Sequence, residues 1–178
     1  KGYGYQQAEK QREVFHGTLP FFLDSGDVRK QPGRPGCGEI AAEALAAMAA
    51  RDNRIIALTA AMPGGTGLHL FAKACPGHML DVGIAEQHAV TLAAGLAAGG
   101  MRPYFAVYAT FLQRGYDQML HDVCLQNLPV CLLLDRAGLA GEDGATHHGI
   151  YDFAFLRHMP NITLLAPADE GELQRMVA

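Results

Sequence analysis

The sequence predicts an α/β domain, a parallel sheet with helices on both faces, preceded by an irregular N-terminal arm. Three observations predict it. Short apolar runs of strand length alternate with helix-length stretches, which is the pattern of βαβ units with right-handed crossovers. The run 129–134, PVCLLL, is apolar throughout, as in parallel strands covered on both sides. Polar residues gather just after the strand-like runs, where open α/β sheets bind their ligands.

Taken in order, residues 1–35 are rich in Gly, Gln, Pro and charge without a sustained period, and read as a linker or arm containing Phe15-His16-Gly17. The domain proper is 36–178. Residues 38–48 form an alanine-rich helix with Ile40, Ala44, Leu45 and Met48 on one face. Residues 54–59 form a buried strand, followed by the glycine-rich loop AAMPGGTGL and a short helix. A short strand at 78–81 leads into the stretch DVGIAEQHAVTLAAGLA, which turns at Gly83 and continues as a helix of small and apolar residues. Glu86 is the one carboxylate in the first turn of that helix, where an acid is favoured by the helix dipole. A strand at 103–108, a long helix at 109–126, the strand 129–134 and a polar loop at 135–149 follow. A short helix at 151–157, a fifth strand at 162–166 and a helix opened by Pro167-Ala168-Asp169 complete the pattern.

The 178 residues, 49% hydrophobic, suffice for one α/β domain with a sizeable core. A net charge of -4 without a basic stripe argues against nucleic acid and anionic membrane as partners. Cys37, Cys75, Cys124 and Cys131 show no C-x-x-C spacing, which fits a reducing cytosol better than a disulfide framework or a zinc site. No run reaches transmembrane length, and no signal-peptide pattern opens the chain. The first residue is Lys1 and the last residues read as a helix in progress, so a piece of a longer protein is expected. Dinucleotide, P-loop and nucleophile-elbow motifs are absent. Adjacent His147 and His148 lack the spacing of a shared metal site, so no metal is expected in this domain. His69, His78, His121 and His158 read as surface or hydrogen-bonded histidines.

DVGIAEQH (81–88), YATFLQRGYDQMLHDVCLQNLPV (108–130) and DRAGLAGEDGATHHGIYD (135–152) resemble the central, pyrimidine-binding domain of the transketolase-like thiamin-diphosphate enzymes. Within that family they resemble the branch that condenses pyruvate with D-glyceraldehyde 3-phosphate to 1-deoxy-D-xylulose 5-phosphate and CO2, for isoprenoid and thiamin biosynthesis. The resemblance implies that Glu86 hydrogen-bonds N1′ of the aminopyrimidine and favours its imino tautomer. It implies that Phe111 stacks on the aminopyrimidine, and that Tyr108 and Arg114 line the substrate channel. It implies that Arg136 contacts the aldehyde's phosphate, that Asp143 and His147 touch substrate and assist proton transfer, and that His16 lies near the cofactor's reactive carbon. It also implies thiamin diphosphate with Mg2+, the metal being held by a preceding domain, and a cytoplasmic homodimer.

Two features depart from that family. Pro63-Gly64-Gly65-Thr66 stands where a charged residue precedes Gly-Ser-Gly, and no G-D-G…N diphosphate-and-metal signature occurs. Ser25-Gly26-Asp27-Val28 is the nearest string. The isolated chain is therefore expected to be inactive. Other readings remain: the pyrimidine domain of a transketolase or of a 2-oxo-acid dehydrogenase β-chain, one subunit of a split enzyme, or a non-catalytic scaffold domain.

Overall fold

A computed structural model describes residues 2–12, 14–17, 19–29 and 33–178. The chain divides into two compact units, 1–35 and 36–178. The first is less irregular than its composition implies. It carries the short helix α1 (Gln6–Lys10) and an antiparallel bridge between Phe21 and Val28. Phe15 meets Tyr5 and Phe21 edge-on, with ring centroids 5.5 and 5.0 Å apart. Edge-to-face pairs at this spacing are favourable, so an aromatic triad replaces the periodic core that the segment lacks.

The second unit begins with α2 (Cys37–Ala49) and β1 (Ile55–Thr59). Then come α3 (Leu68–Ala74), β2 (Met79–Asp81), α4 (Glu86–Ala98) and β3 (Arg102–Tyr108). The four strands, completed by β4 (Cys131–Asp135), are all parallel in the order β2-β1-β3-β4. Thr59 stands level with Asp81 and Ala106, and Tyr108 with Asp135. The carboxyl ends of all four strands thus share one rim.

Side-chain alternation along the strands builds two cores. Leu58, Phe105 and Val107 face α4, whose Ala89, Val90, Ala93 and Ala94 are buried against them. Ile55, Ala57, Tyr104 and Ala106 face Leu45 of α2 and Phe71 of α3. The small residues of α4 therefore serve close approach to the sheet.

The structure corrects the expected elements in three places. The helix at 109–126 is broken into α5 (Ala109–Leu112), a 3-10 turn (Gln113–Gly115), α6 (Tyr116–Gln118) and a π-helical turn (Met119–Cys124). Gly115 is the reason for the tight turn: a Cβ there would lie 3.0 Å from Val90 Cγ2, so the segment lies hard against α4. Residues 162–166 form no strand. They line, together with Leu132 and Leu134, a cavity of about 1040 Å3 beside the outer edge of β4, and no ladder crosses it. For the same reason β4 is half-buried along its length. The strand also starts at Cys131, two residues late, because Pro129 has no N–H to pair.

The short helix α7 (Asp152–Leu156) and the terminal α8 (Glu170–Val177) follow. Asp169 caps α8, its Oδ1 accepting from Glu172 N–H at 2.7 Å, while Ala168 N–H donates to Glu172 Oε2 at 2.6 Å.

The junction between α2 and α3 rests on Gly67. Its φ is +75°, and a Cβ would overlap the backbone of Gly38 and Glu39. Gly77 has a similar φ of +84° but open space around it. Gly67→Ala is expected to lose about 2–4 kcal/mol in urea denaturation, from overpacking plus strain. Gly77→Ala is expected to lose only about 1 kcal/mol, from strain alone.

Candidate active site

Two groups of side chains stand on the rim, and the segment 108–115 serves both. The first is centred on Glu86. The chain leaves β2 at Asp81, turns at Gly83 with φ +72°, and enters α4 at Glu86. Asp81 Oδ1 accepts from Gly83 N–H at 2.9 Å and from Ala61 N–H at 2.8 Å. It thereby ties this turn to the loop after β1, whose Ala61 has φ +60°. Glu86 is 2% exposed, and its Oε2 receives no hydrogen bond. Arg114 Nε stands 3.3 Å from that oxygen, within ion-pair reach but without hydrogen-bond geometry. A buried carboxylate this thinly supported is costly to maintain, and the N-terminus of α4 offsets part of that cost.

The second group joins Tyr108, Phe111, Arg136, Asp143 and His147. Tyr108 ends β3 and stacks on Phe111 one turn later, with centroids 5.7 Å apart and planes 14° off parallel. His147 meets Phe111 edge-on at 5.3 Å and Tyr108 at 6.4 Å. The Arg136 guanidinium lies 4.7 Å over the Tyr108 ring, in cation–π range. Its Nε donates to Asp143 Oδ2 at 2.7 Å, and its Nη1 is 3.5 Å from Asp135 Oδ1. Burial opposes the Arg136 charge, but the Asp143 hydrogen bond and neighbouring negative charge outweigh it and raise the pKa. Burial also pushes the Tyr108 hydroxyl upward, against the pull of Arg136. Arg136, Leu139, Ala140 and Asp143 line a recess of about 320 Å3.

The loop carrying these residues is held at both ends. Gly138 and Gly149 exchange backbone hydrogen bonds of 2.8 and 2.9 Å. A Cβ on Gly149 would lie 2.6 Å from Ala109 Cβ and 2.7 Å from Arg136 O. Thr110 Oγ1 donates to Thr146 O at 3.1 Å, and Thr146 Oγ1 lies 2.9 Å from His147 Nδ1. The divergent loop at 63–66 also serves this group, since a Cβ on Gly65 would overlap the Tyr108 hydroxyl.

The structure thus brings together Glu86 with Arg114, and Tyr108 with Phe111, Arg136, Asp143 and His147. His16 belongs to the first unit, where it is exposed. Arg136 also pairs with both Asp135 and Asp143. His148 is structural, its Nδ1 accepting from Ala140 N–H at 3.0 Å. His69, His78, His121 and His158 all hydrogen-bond within the domain, to Pro63 O, Ile55 O, Asp122 and Tyr116. Among the described residues no three His, Cys, Asp or Glu side chains stand close enough to hold a metal ion. Sequence reasoning missed Gly65, Gly115 and Gly149. Each is visible as a glycine, but only the packed structure shows what lies where its side chain would be.

Glu86 supplies the test of fit for a thiamin-type cofactor. Its buried, unbonded oxygen suits a ring nitrogen, so the pyrimidine end fits; the diphosphate end has no metal-binding cluster among the described residues.

The chain is 57% identical over 180 residues to 1-deoxy-D-xylulose-5-phosphate synthase 1 of Geobacter metallireducens, across 99% of this chain. It is 56% identical over 178 residues to 1-deoxy-D-xylulose-5-phosphate synthase of Halalkalibacterium halodurans. In both cases it spans only 28% of the relative's length. Among solved structures, a split-gene transketolase described as an inactive β4 tetramer is 31% identical with a TM-score of 0.71, over 82% of this chain and 47% of that one. Campylobacter jejuni transketolase shares the fold at 21% identity and TM-score 0.68, over 80% of this chain and 23% of that one. Residues 35–178 match the profile of the transketolase pyrimidine-binding domain, and the chain belongs to that family.

Proposed function

We propose that this chain is the pyrimidine-binding part of a thiamin-diphosphate enzyme that condenses pyruvate with D-glyceraldehyde 3-phosphate, giving 1-deoxy-D-xylulose 5-phosphate and CO2. The observation that carries the reading is Glu86: a carboxyl 2% exposed, with one oxygen lacking any hydrogen bond, at the first residue of α4. The names of the relatives that match the whole chain support the choice of substrates. A functional product of this kind serves isoprenoid and thiamin biosynthesis in the cytoplasm, and a homodimer is the proposed assembly.

The bound cofactor supplies the carbanion equivalent that attacks a carbonyl carbon. The residues of this chain hold and orient it. Glu86 hydrogen-bonds the pyrimidine N1′ and shares a proton there, which a water-exposed carboxylate would do less well. Phe111, half-buried and already stacked on Tyr108, offers an aromatic face to the ring. Arg136 is the cation of the recess and takes the aldehyde's phosphate, with its planar fork pre-set by Asp143 and by the Tyr108 ring. His147, whose Nδ1 lies 2.9 Å from Thr146 Oγ1, is held in place for proton exchange with substrate oxygen. His16 is proposed near the reactive carbon. The diphosphate and Mg2+ are held by a domain outside these residues, so the 178-residue chain alone is inactive; the inactive β4 tetramer of the split-gene transketolase supports that.

The test is CO2 release from pyruvate by the full-length enzyme with thiamin diphosphate and Mg2+. Release is expected to require D-glyceraldehyde 3-phosphate and to fall roughly 10^2- to 10^4-fold in Glu86→Gln, the range for loss of a positioned proton-transfer group. Release that ignores the aldehyde contradicts the substrate assignment. In Arg136→Lys, the KM for the aldehyde is expected to rise roughly tenfold while that for pyruvate changes little, because a point-charge ammonium cannot replace the fork.

A further inference from the structure

Arg114 and Glu86 form an unequal pair. The Glu86 side chain is 3% exposed and that of Arg114 is 51% exposed. Glu86 is fixed by the first turn of α4, whereas Arg114 sits in the 3-10 turn between α5 and α6 on a long, rotatable stem. Gly115 keeps that turn close, since a Cβ there would lie 3.0 Å from Val90 Cγ2. The 3.3 Å contact lacks hydrogen-bond geometry, so charge attraction alone holds Arg114 at Oε2. Such a contact is weak for its distance and readily exchanged.

A guanidinium at Oε2 and a pyrimidine nitrogen sharing a proton with the same carboxyl are opposed demands. Both partners have to approach the same unbonded oxygen, and there is room for one of them at a time. Of the two side chains, Arg114 is the one with open space around it. We propose that Arg114 is a positioning residue that competes with the aminopyrimidine for the Glu86 carboxyl, so that cofactor binding releases Arg114 to the rim as an anion-binding group. The proposal rests on the cofactor reading above. It gives Arg114 two successive partners: first the protein's own carboxylate, then the carboxylate or phosphate of a substrate. The buried charge of Glu86 is thus compensated before the cofactor arrives, and the compensating cation becomes part of the substrate site afterwards.

The test is a double-mutant cycle on equilibrium binding, with no turnover required. Thiamin diphosphate is titrated calorimetrically, with Mg2+, into the full-length wild-type enzyme and into Arg114→Met, Glu86→Gln and the double variant. Arg114→Met is expected to lower the Kd about fivefold, the upper range for a partly exposed ion pair. Glu86→Gln is expected to raise it, and in that background Arg114→Met is expected to have no effect. Arg114→Lys keeps the cation and is expected to bind like the wild type, which separates lost charge from lost packing. If Arg114→Met leaves the Kd unchanged or raises it while Glu86→Gln still weakens binding, the competition is refuted and the cofactor reading stands. If Glu86→Gln binds as the wild type does, the reading and the competition fall together.

Discussion

The site depends on keeping one carboxyl out of water. Glu86 is the first residue of α4 and is almost fully buried, yet one of its oxygens has no hydrogen bond. Such an arrangement survives only where the surroundings over-determine it. Here they do. The alanines of α4 let the helix settle close against β1 and β3, Asp81 clamps the turn that precedes it, and Gly115 lets the 3-10 turn press on Val90. None of these residues needs to touch a ligand. Together they fix where the carboxyl points, which is what a proton-sharing contact requires.

Economy of chain explains the rest of the rim. A stretch of eight residues, 108–115, contributes Tyr108 and Phe111 to the aromatic group, Arg114 to Glu86 and Gly115 to the packing on α4. A regular helix would carry these side chains around its axis at a fixed pitch. The 3-10 turn and the π-helical turn after it change that pitch locally, a departure often found at functional sites. The loop at 136–149 then closes over the opposite side, with Arg136 lodged between an aromatic ring and two carboxylates. Its charge is pre-oriented, and its neighbours partly neutralise it.

Much of this architecture was legible in the residues. The strands β1, β3 and β4 announce themselves as continuous apolar runs, and α2 and α4 as alanine-rich stretches bounded by glycine and an acid. The parallel order of the strands brings the polar residues that follow them to one rim, as the sequence pattern implied. Three things were hidden. The apolar run 162–166 has strand composition, but strand formation requires an edge within ladder distance, and the cavity beside β4 removes it. The segment 109–126 has helical periodicity, but close contact at Gly115 overrides it. The arm lacks periodicity, yet Tyr5, Phe15 and Phe21 find one another because aromatic contacts depend on three-dimensional proximity, not on spacing. The roles of Gly65, Gly115 and Gly149 follow from what occupies the space beside them, which no linear pattern records.

The central claim is that Glu86 makes a hydrogen bond to a pyrimidine nitrogen. It is tested most directly by 15N NMR of thiamin diphosphate labelled at N1′ and bound to the full-length enzyme. The account predicts that the N1′ resonance moves well away from its position in the free cofactor, and that Glu86→Gln returns it toward that position while the cofactor stays bound. A resonance identical in the wild type and in the variant would contradict the claim, whatever the turnover of either protein.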